Sequence, residues 1–146
     1  MKTVVEVLLV DDNAGDSELT TQLLRRNDSA IQIHAVSDGL EALAFLRCEG
    51  KYSDALRPHL MLLDLNMPRK NGWEVLRDVK SDSALKNMTI VVFTASDSWT
   101  DIEGCLALGA NSYVNKPWDL TAYASRITAI KNYWFDIACI VRQEGM

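Results

Sequence analysis

The stretch His59-Leu60-Met61-Leu62-Leu63-Asp64-Leu65-Asn66-Met67-Pro68 constrains this chain most. Four apolar residues run into an acid, and a turn follows at once. A short apolar run bounded by turn signals reads as a strand buried on both faces. Such strands belong to parallel sheets covered by helices, and ligands of those sheets bind beyond the carboxyl ends of the strands. Asp64 would stand at that rim. It could also do no more than close the strand, and this stretch alone leaves both readings open.

The same pattern recurs along the chain. Val4-Val5-Glu6-Val7-Leu8-Leu9-Val10 is a second buried strand, and Asp11-Asp12-Asn13 follows it directly. Adjacent acids at a strand end repel each other unless a cation or partner compensates them. Alternatively, Asp12 or Asn13 caps the next helix, and both can hold together. Residues 14–27 have helical spacing, with Leu19, Leu23 and Leu24 inward. Ile31 to Ala35 alternates as a strand, with His34 near its end and assigned no ligand role. Asp38-Gly39 opens a helix to about Cys48, with Leu40, Leu43, Ala44 and Leu46 as its apolar face. Residues 49–58 read as a loop. After the central strand, 60–64, Asn71 and Glu74 have the spacing of a capping box. Thr89 to Thr94 is another buried strand, and the following helix starts at Asp97 or Ser98 and ends at Gly109. Asn111 to Lys116 is a short strand stopped by Pro117, and a last helix runs from about Asp119 to about Val141. Five strands alternating with five helices mean βαβ units with right-handed crossovers. The expected architecture is a doubly wound α/β domain, residues 1–146, whose parallel sheet has the flavodoxin-like order 2-1-3-4-5.

Composition narrows the function. Apolar residues are 48% of the chain, too many for a disordered one. No apolar run approaches the roughly 20 residues of a membrane span, and the N-terminus turns acidic too soon for a signal peptide. A cytoplasmic protein is expected. Net charge is −5, and no basic run is longer than Arg25-Arg26, which argues against nucleic-acid binding. Cys48, Cys105 and Cys139 lack metal-ligand spacing and read as small buried hydrophobes.

In the 2-1-3-4-5 order, the first and third strands flank the point where the winding reverses. Asp11, Asp12 and Asp64 would converge there, with Thr94 and Lys116 opposite. Clustered carboxylates call for a cation, and oxygen-only ligands suit Mg²⁺. A carboxylate beside Mg²⁺, a hydroxyl and a lysine is equipped for phosphoryl transfer, with Asp64 as nucleophile.

These residues resemble the receiver domain of bacterial two-component response regulators over about residues 4 to 132. The resemblance rests on the pair Asp11-Asp12, the segment Leu62 to Pro68, Phe93-Thr94-Ala95 and Lys116-Pro117, in order and at matching spacing. It implies that Asp64 accepts a phosphoryl group from a sensor histidine kinase. It implies that Asp12 binds Mg²⁺ directly, that Asp11 helps through water and that Asn66 gives its backbone carbonyl. Thr94 would hydrogen-bond the phosphoryl group, Lys116 would pair with it, and Tyr113 would be the switch aromatic. Gly72 and the small Ala95 match family positions, and the Lys116–Pro117 bond is expected to be cis. The Asp12-Asn13-Ala14-Gly15-Asp16 opening, the long 49–58 loop and the aromatic C-terminus resemble the small response regulators paired with cyanobacterial phytochromes. Trp118 after Pro117 departs from the pattern by its bulk.

Two other readings compete. A phosphatase of the haloacid dehalogenase type also uses a strand-end Asp and Mg²⁺, but needs a second acid where this chain has Asn66. A degenerate receiver serving as a scaffold would not need the complete set Asp11, Asp12, Asp64, Thr94 and Lys116. The expected protein is therefore a phosphoacceptor without an output domain, not a turnover enzyme. In the last helix, Tyr123, Ile127, Ile130, Trp134, Ile137 and Val141 recur at heptad-like spacing. A helix of about 22 residues spans roughly 33 Å, more than the sheet needs. Tyr133, Trp134, Phe135, Ile137 and Ile140 would overhang it, and Trp99 and Trp118 would extend the same face into a homodimer interface.

Overall fold

The computed structural model describes residues 4–26, 28 and 30–137. Five parallel strands, β1 (Val5–Val10), β2 (Ile31–Val36), β3 (Leu60–Leu63), β4 (Thr89–Thr94) and β5 (Ser112–Asn115), form one sheet in the order β2-β1-β3-β4-β5. The helices between and after them are α1 (Ala14–Arg25), α2 (Gly39–Leu46), α3 (Gly72–Ser81), α4 (Trp99–Ala107) and α5 (Leu120–Lys131). β1, β3 and β4 are buried throughout, so both faces of the sheet are covered. Strand side chains alternate between two cores. Leu8, Val10, Met61, Leu63, Ile90 and Val92 pack beneath α2, α3 and α4. Val7, Leu9, Leu60, Leu62, Val91 and Phe93 pack beneath α1 and α5. This period of two explains why the strands read as unbroken apolar runs. Each fully buried leucine or valine contributes roughly 1.5–3 kcal/mol relative to exposure.

Side chains start each helix. Asn13 accepts from Asp16 N–H at 2.9 Å, so Asn13 is the α1 cap and Asp12 is left for other work. Asp38 caps α2, and Asn71 and Glu74 close the expected capping box on α3. Ser98 caps α4 and Asp119 caps α5. Gly109 follows α4 at φ +108°, a conformation open to glycine. Trp73 of α3 lies against Gly104 of α4, where an added Cβ would meet the indole at 2.9 Å.

Four expectations change. Leu40 is 52% exposed, and Ala42 and Phe45 take the inward positions of α2 instead. His34 lies within β2 and not at its end, and pairs with Glu6 at 3.0 Å. The Lys116–Pro117 bond is trans, as are all described peptide bonds. Trans is the intrinsically favoured isomer by about 0.5–1 kcal/mol, and the turn into α5 closes with it. The last helix ends at Lys131 and continues as a π-helical turn, Asn132–Ile137. That wider turn changes the register, and Trp134 and Phe135 pack against the α1/α5 core instead of overhanging it. Tyr133 remains 51% exposed, with its ring edge-on to Trp134. Ile140 and Val141 lie outside the described residues, as does the side chain of Ile137. Cys105 is buried, Cys48 half-buried, and Cys139 falls outside the described residues.

Candidate functional site

β1 and β3 are neighbours, and the first residues beyond them are acids. Register pairs Val10 with Leu63, so Asp11 and Asp64 leave the sheet side by side. Asp11, Asp12 and Asp64 each offer an oxygen within 4.8 Å of the others. Asp11 is buried, whereas Asp12 is exposed to solvent. Lys116, one residue past β5, crosses over to them. Its Nζ donates to Asp11 Oδ2 at 2.6 Å, Asp16 Oδ2 at 3.0 Å and Asp64 Oδ2 at 3.2 Å. The Lys116 Nζ lies over the ring of Phe93, 5.8 Å from its centroid.

Burial pushes the Asp11 carboxyl above the ordinary carboxylate range, although the bonds from Lys116 and Asn13 N–H oppose it. Burial alone would lower the Lys116 ammonium. The bond to Asp11 and the charges of Asp64 and Asp11 outweigh it, and the net shift is upward. Lys116 is therefore fully charged, and it is the counter-ion of a site that would otherwise be strongly repulsive.

Thr94 ends β4 with its hydroxyl fully buried and without a hydrogen-bond partner among the described residues. Native proteins rarely leave such a group unpaired, because doing so costs about 1–3 kcal/mol. Tyr113 on β5 donates its hydroxyl to Ser96 carbonyl at 2.8 Å, tying β5 to the loop between Thr94 and α4. Burial raises this phenol too. Asn66 is exposed, and its N–H donates to Asp64 Oδ1 at 3.4 Å. Gly72 N–H donates to Leu65 carbonyl at 2.9 Å, and a Cβ at Gly72 would sit 2.1 Å from Asp64 carbonyl. Glycine there is a requirement of close backbone approach. A cleft of about 540 Å³ opens beside Lys116, with Asp16, Leu19, Ala95, Trp118 and Tyr123 among its walls.

The candidate residues Asp11, Asp12, Asp64 and Lys116 thus meet at one rim, as the spacing indicates. Trp99 and Trp118 are exposed, Trp118 completely, but on different helix starts. Two features lie beyond the sequence reading. Asp16 joins the lysine, a consequence of lying three residues past the Asn13 cap on the first turn of α1. Asp38 pairs with Arg69 across the loop after β3, and nothing in the sequence flags that contact.

The chain matches the family described as the response regulator receiver domain over residues 7–128. It belongs to that family. Response regulator Rcp1 of Synechocystis is 35% identical over 130 residues, spanning 89% of this chain and 88% of Rcp1. The crystal structure of the phosphorylated cyanobacterial phytochrome response regulator RcpA superposes with a TM-score of 0.92 at 36% identity, covering 96% of this chain and 100% of RcpA. A Mn²⁺-bound form of Rcp1 superposes with a TM-score of 0.90 at 33% identity, covering 94% of this receiver and 99% of that chain. The receiver fold and the similarity to phytochrome response regulators thus agree with the reading from sequence.

Proposed function

We propose that this receiver is a phosphorylation switch in which Asp64 accepts a phosphoryl group from a phosphohistidine of a sensor kinase. The observation that carries the reading is the convergence of three carboxylates on one buried lysine at the sheet rim. An Asp64 oxygen attacks phosphorus, the phosphorus–nitrogen bond breaks, and the histidine leaves as neutral imidazole after taking up a proton. Lys116 is positioned to follow an oxygen of the transferred group, keeping Asp11 and Asp16 as partners. The unpartnered Thr94 hydroxyl supports a second contact, since a phosphoryl oxygen would satisfy it.

The donor set also fits a divalent cation. Its ligands are all oxygens, and Asp12 is exposed with no ion-pair partner among the described residues. Asp11, Asp12, Asp64 and the Asn66 carbonyl would hold Mg²⁺, which when bound neutralises charge on the transferred oxygens. Two relatives support metal and partner alike: one Rcp1 structure holds Mn²⁺, and RcpA is a phytochrome response regulator. A phytochrome-type histidine kinase is accordingly the partner we propose.

Contact of a phosphoryl group with Thr94 draws the β4–α4 loop inward, and Tyr113 moves with it because its hydroxyl is bonded to Ser96 carbonyl. The output surface is α4, β5 and α5 with the π-helical turn that follows it, where exposed Trp99 and Tyr133 support homodimer formation.

Incubation with a small acyl phosphate and Mg²⁺ should add one phosphoryl group per chain, and Asp64→Asn should abolish it. Undiminished labelling of Asp64→Asn, or continued turnover of a phosphomonoester, would sink the reading. Asp12→Ala should slow labelling, and excess chelator should stop it. Sedimentation of the phosphorylated chain should show a dimer that Tyr133→Glu weakens. A monomer at tens of micromolar would remove the dimer from the proposal.

A further inference from the structure

Arg69 has φ +64°, in the left-handed region that residues other than glycine and asparagine rarely occupy. It lies in the loop that leaves β3 at Asp64 and enters α3 at Asn71. Something must hold it there. Its guanidinium Nε donates to Asp38 Oδ2 at 2.9 Å, and a second nitrogen donates to the same oxygen. The two partners are unequal. The Asp38 side chain is 4% exposed and that of Arg69 is 60% exposed. Asp38 is also fixed by its other oxygen, which caps α2 by accepting Glu41 N–H at 2.9 Å. The acid is thus the anchor, and the arginine reaches to it.

A second pin lies beside the first. Gly39 N–H donates to Lys70 carbonyl at 2.8 Å, and a Cβ at Gly39 would stand 2.3 Å from that oxygen. In the sheet, β1 lies between β2 and β3. The turn after β2 and the loop after β3 therefore meet across the end of β1, where Asp11 and Asp12 emerge. The span they hold, residues 65–70, contains Asn66. An ion pair with one exposed partner adds little to global stability. A left-handed arginine held by a buried acid is better explained by the geometry it imposes.

We propose that the Asp38–Arg69 pair is a positioning clamp that sets the loop carrying Asn66 against Asp64 and so tunes cation binding and phosphoryl acceptance. The proposal rests on the phosphoacceptor reading above. Neither residue touches the reacting atoms. Both act through the loop backbone.

The test compares Asp38→Asn, Arg69→Gln, Arg69→Gly and Arg69→Lys. Asp38→Asn keeps an oxygen for the α2 cap and loses the charge. Arg69→Gly relieves the left-handed backbone and removes the clamp. Labelling by a small acyl phosphate is measured against Mg²⁺ concentration, and Mg²⁺ binding is followed separately by tryptophan fluorescence. Asp38→Asn, Arg69→Gln and Arg69→Gly should each raise the Mg²⁺ needed for half-maximal fluorescence change and slow labelling at limiting Mg²⁺, by about tenfold, the size of effect typical of groups that orient metal ligands. Arg69→Lys should recover part of it. The double variant Asp38→Asn/Arg69→Gln should be no worse than either single change, because both remove one contact. Arg69→Gly should be as stable to denaturant as the parent and still slow. Parental Mg²⁺ dependence in Asp38→Asn and Arg69→Gly overturns the clamp, as does a double variant showing the product of the single effects. Absence of labelling in the parent chain would instead refute the phosphoacceptor reading.

Discussion

Replacing Lys116 by methionine isolates the role of the buried cation in the acidic site. Methionine keeps much of the apolar stem and deletes the charge. The Lys116 side chain is 7% exposed, and its carboxylate partners Asp11 and Asp64 are 4% and 12% exposed. Removing one member of a buried ion pair costs about 3–5 kcal/mol, because the partner stays buried and uncompensated. Against a typical stability of about 5–15 kcal/mol, that is a large share. It corresponds to a fall in Tm of roughly 10 °C for a domain of this size. The loss should depend on metal and on pH. A divalent cation at about a hundredfold excess over its Kd stabilises by about 2.7 kcal/mol, and Lys116→Met should gain more from it than the parent does. Asp11 already lies above its ordinary range, and deleting the lysine removes two of the causes that pull it down. A carboxyl raised in the folded state binds more protons folded than unfolded, so stability falls as pH rises through that range. Lys116→Met should therefore lie closer to the parent at pH 5 than at pH 7. In the parent, the raised ammonium contributes fully at neutral pH, since its contribution is lost only at strongly alkaline pH. Urea denaturation at both pH values, with chelator and with Mg²⁺, measures all of this. A variant within 1 kcal/mol of the parent at pH 7 in chelator, or equally destabilised at pH 5 and in Mg²⁺, would refute the reasoning.

Thr94→Val removes a buried hydroxyl that has no partner among the described residues, so it should stabilise the resting protein by about 1 kcal/mol while impairing the response to phosphorylation. Destabilisation in urea would show that the hydroxyl is satisfied after all. Gly72→Ala forces a Cβ to 2.1 Å from Asp64 carbonyl and should cost about 1–3 kcal/mol together with slower labelling. A change below about 0.5 kcal/mol, the size of a neutral surface substitution, would contradict that contact. Phe135→Glu places a charge against the α1/α5 core and should cost about 1 kcal/mol in thermal unfolding of the monomer. Unchanged monomer stability would mean that Phe135 does not pack there in solution.

Local chemistry makes most of this architecture readable. β1, β3 and β4 are buried on both sides, so their strands are unbroken runs of apolar residues, and their polar terminators mark the rim. The Asn71–Glu74 capping box and the Asp119 cap are also local and legible. Leu40 escapes the pattern because α2 is short, and a single turn decides which side chain faces inward. The course of the chain after Lys131 is hidden because a π-helical turn breaks the 3.6-residue period on which the overhang argument rests. The contacts of Asp16 and Arg69 span 100 and 31 positions along the chain, and no pattern within one element encodes them. What selects them is the packing of loops over the end of β1.

The far edge of the Trp73 indole meets Gly104, while the backbone of its chain neighbour Gly72 lies close to the Asp64 carbonyl. A rigid aromatic plate therefore lies between the start of α3 and α4. Position 104 then works as an adjusting screw. A Cβ there would stand 2.9 Å from the indole, so the ring or α4 must yield, at a distance from the titrating groups of the rim. Substitution at Gly104 is expected to bear on the spacing of α3 and α4 without altering the carboxyl of Asp64.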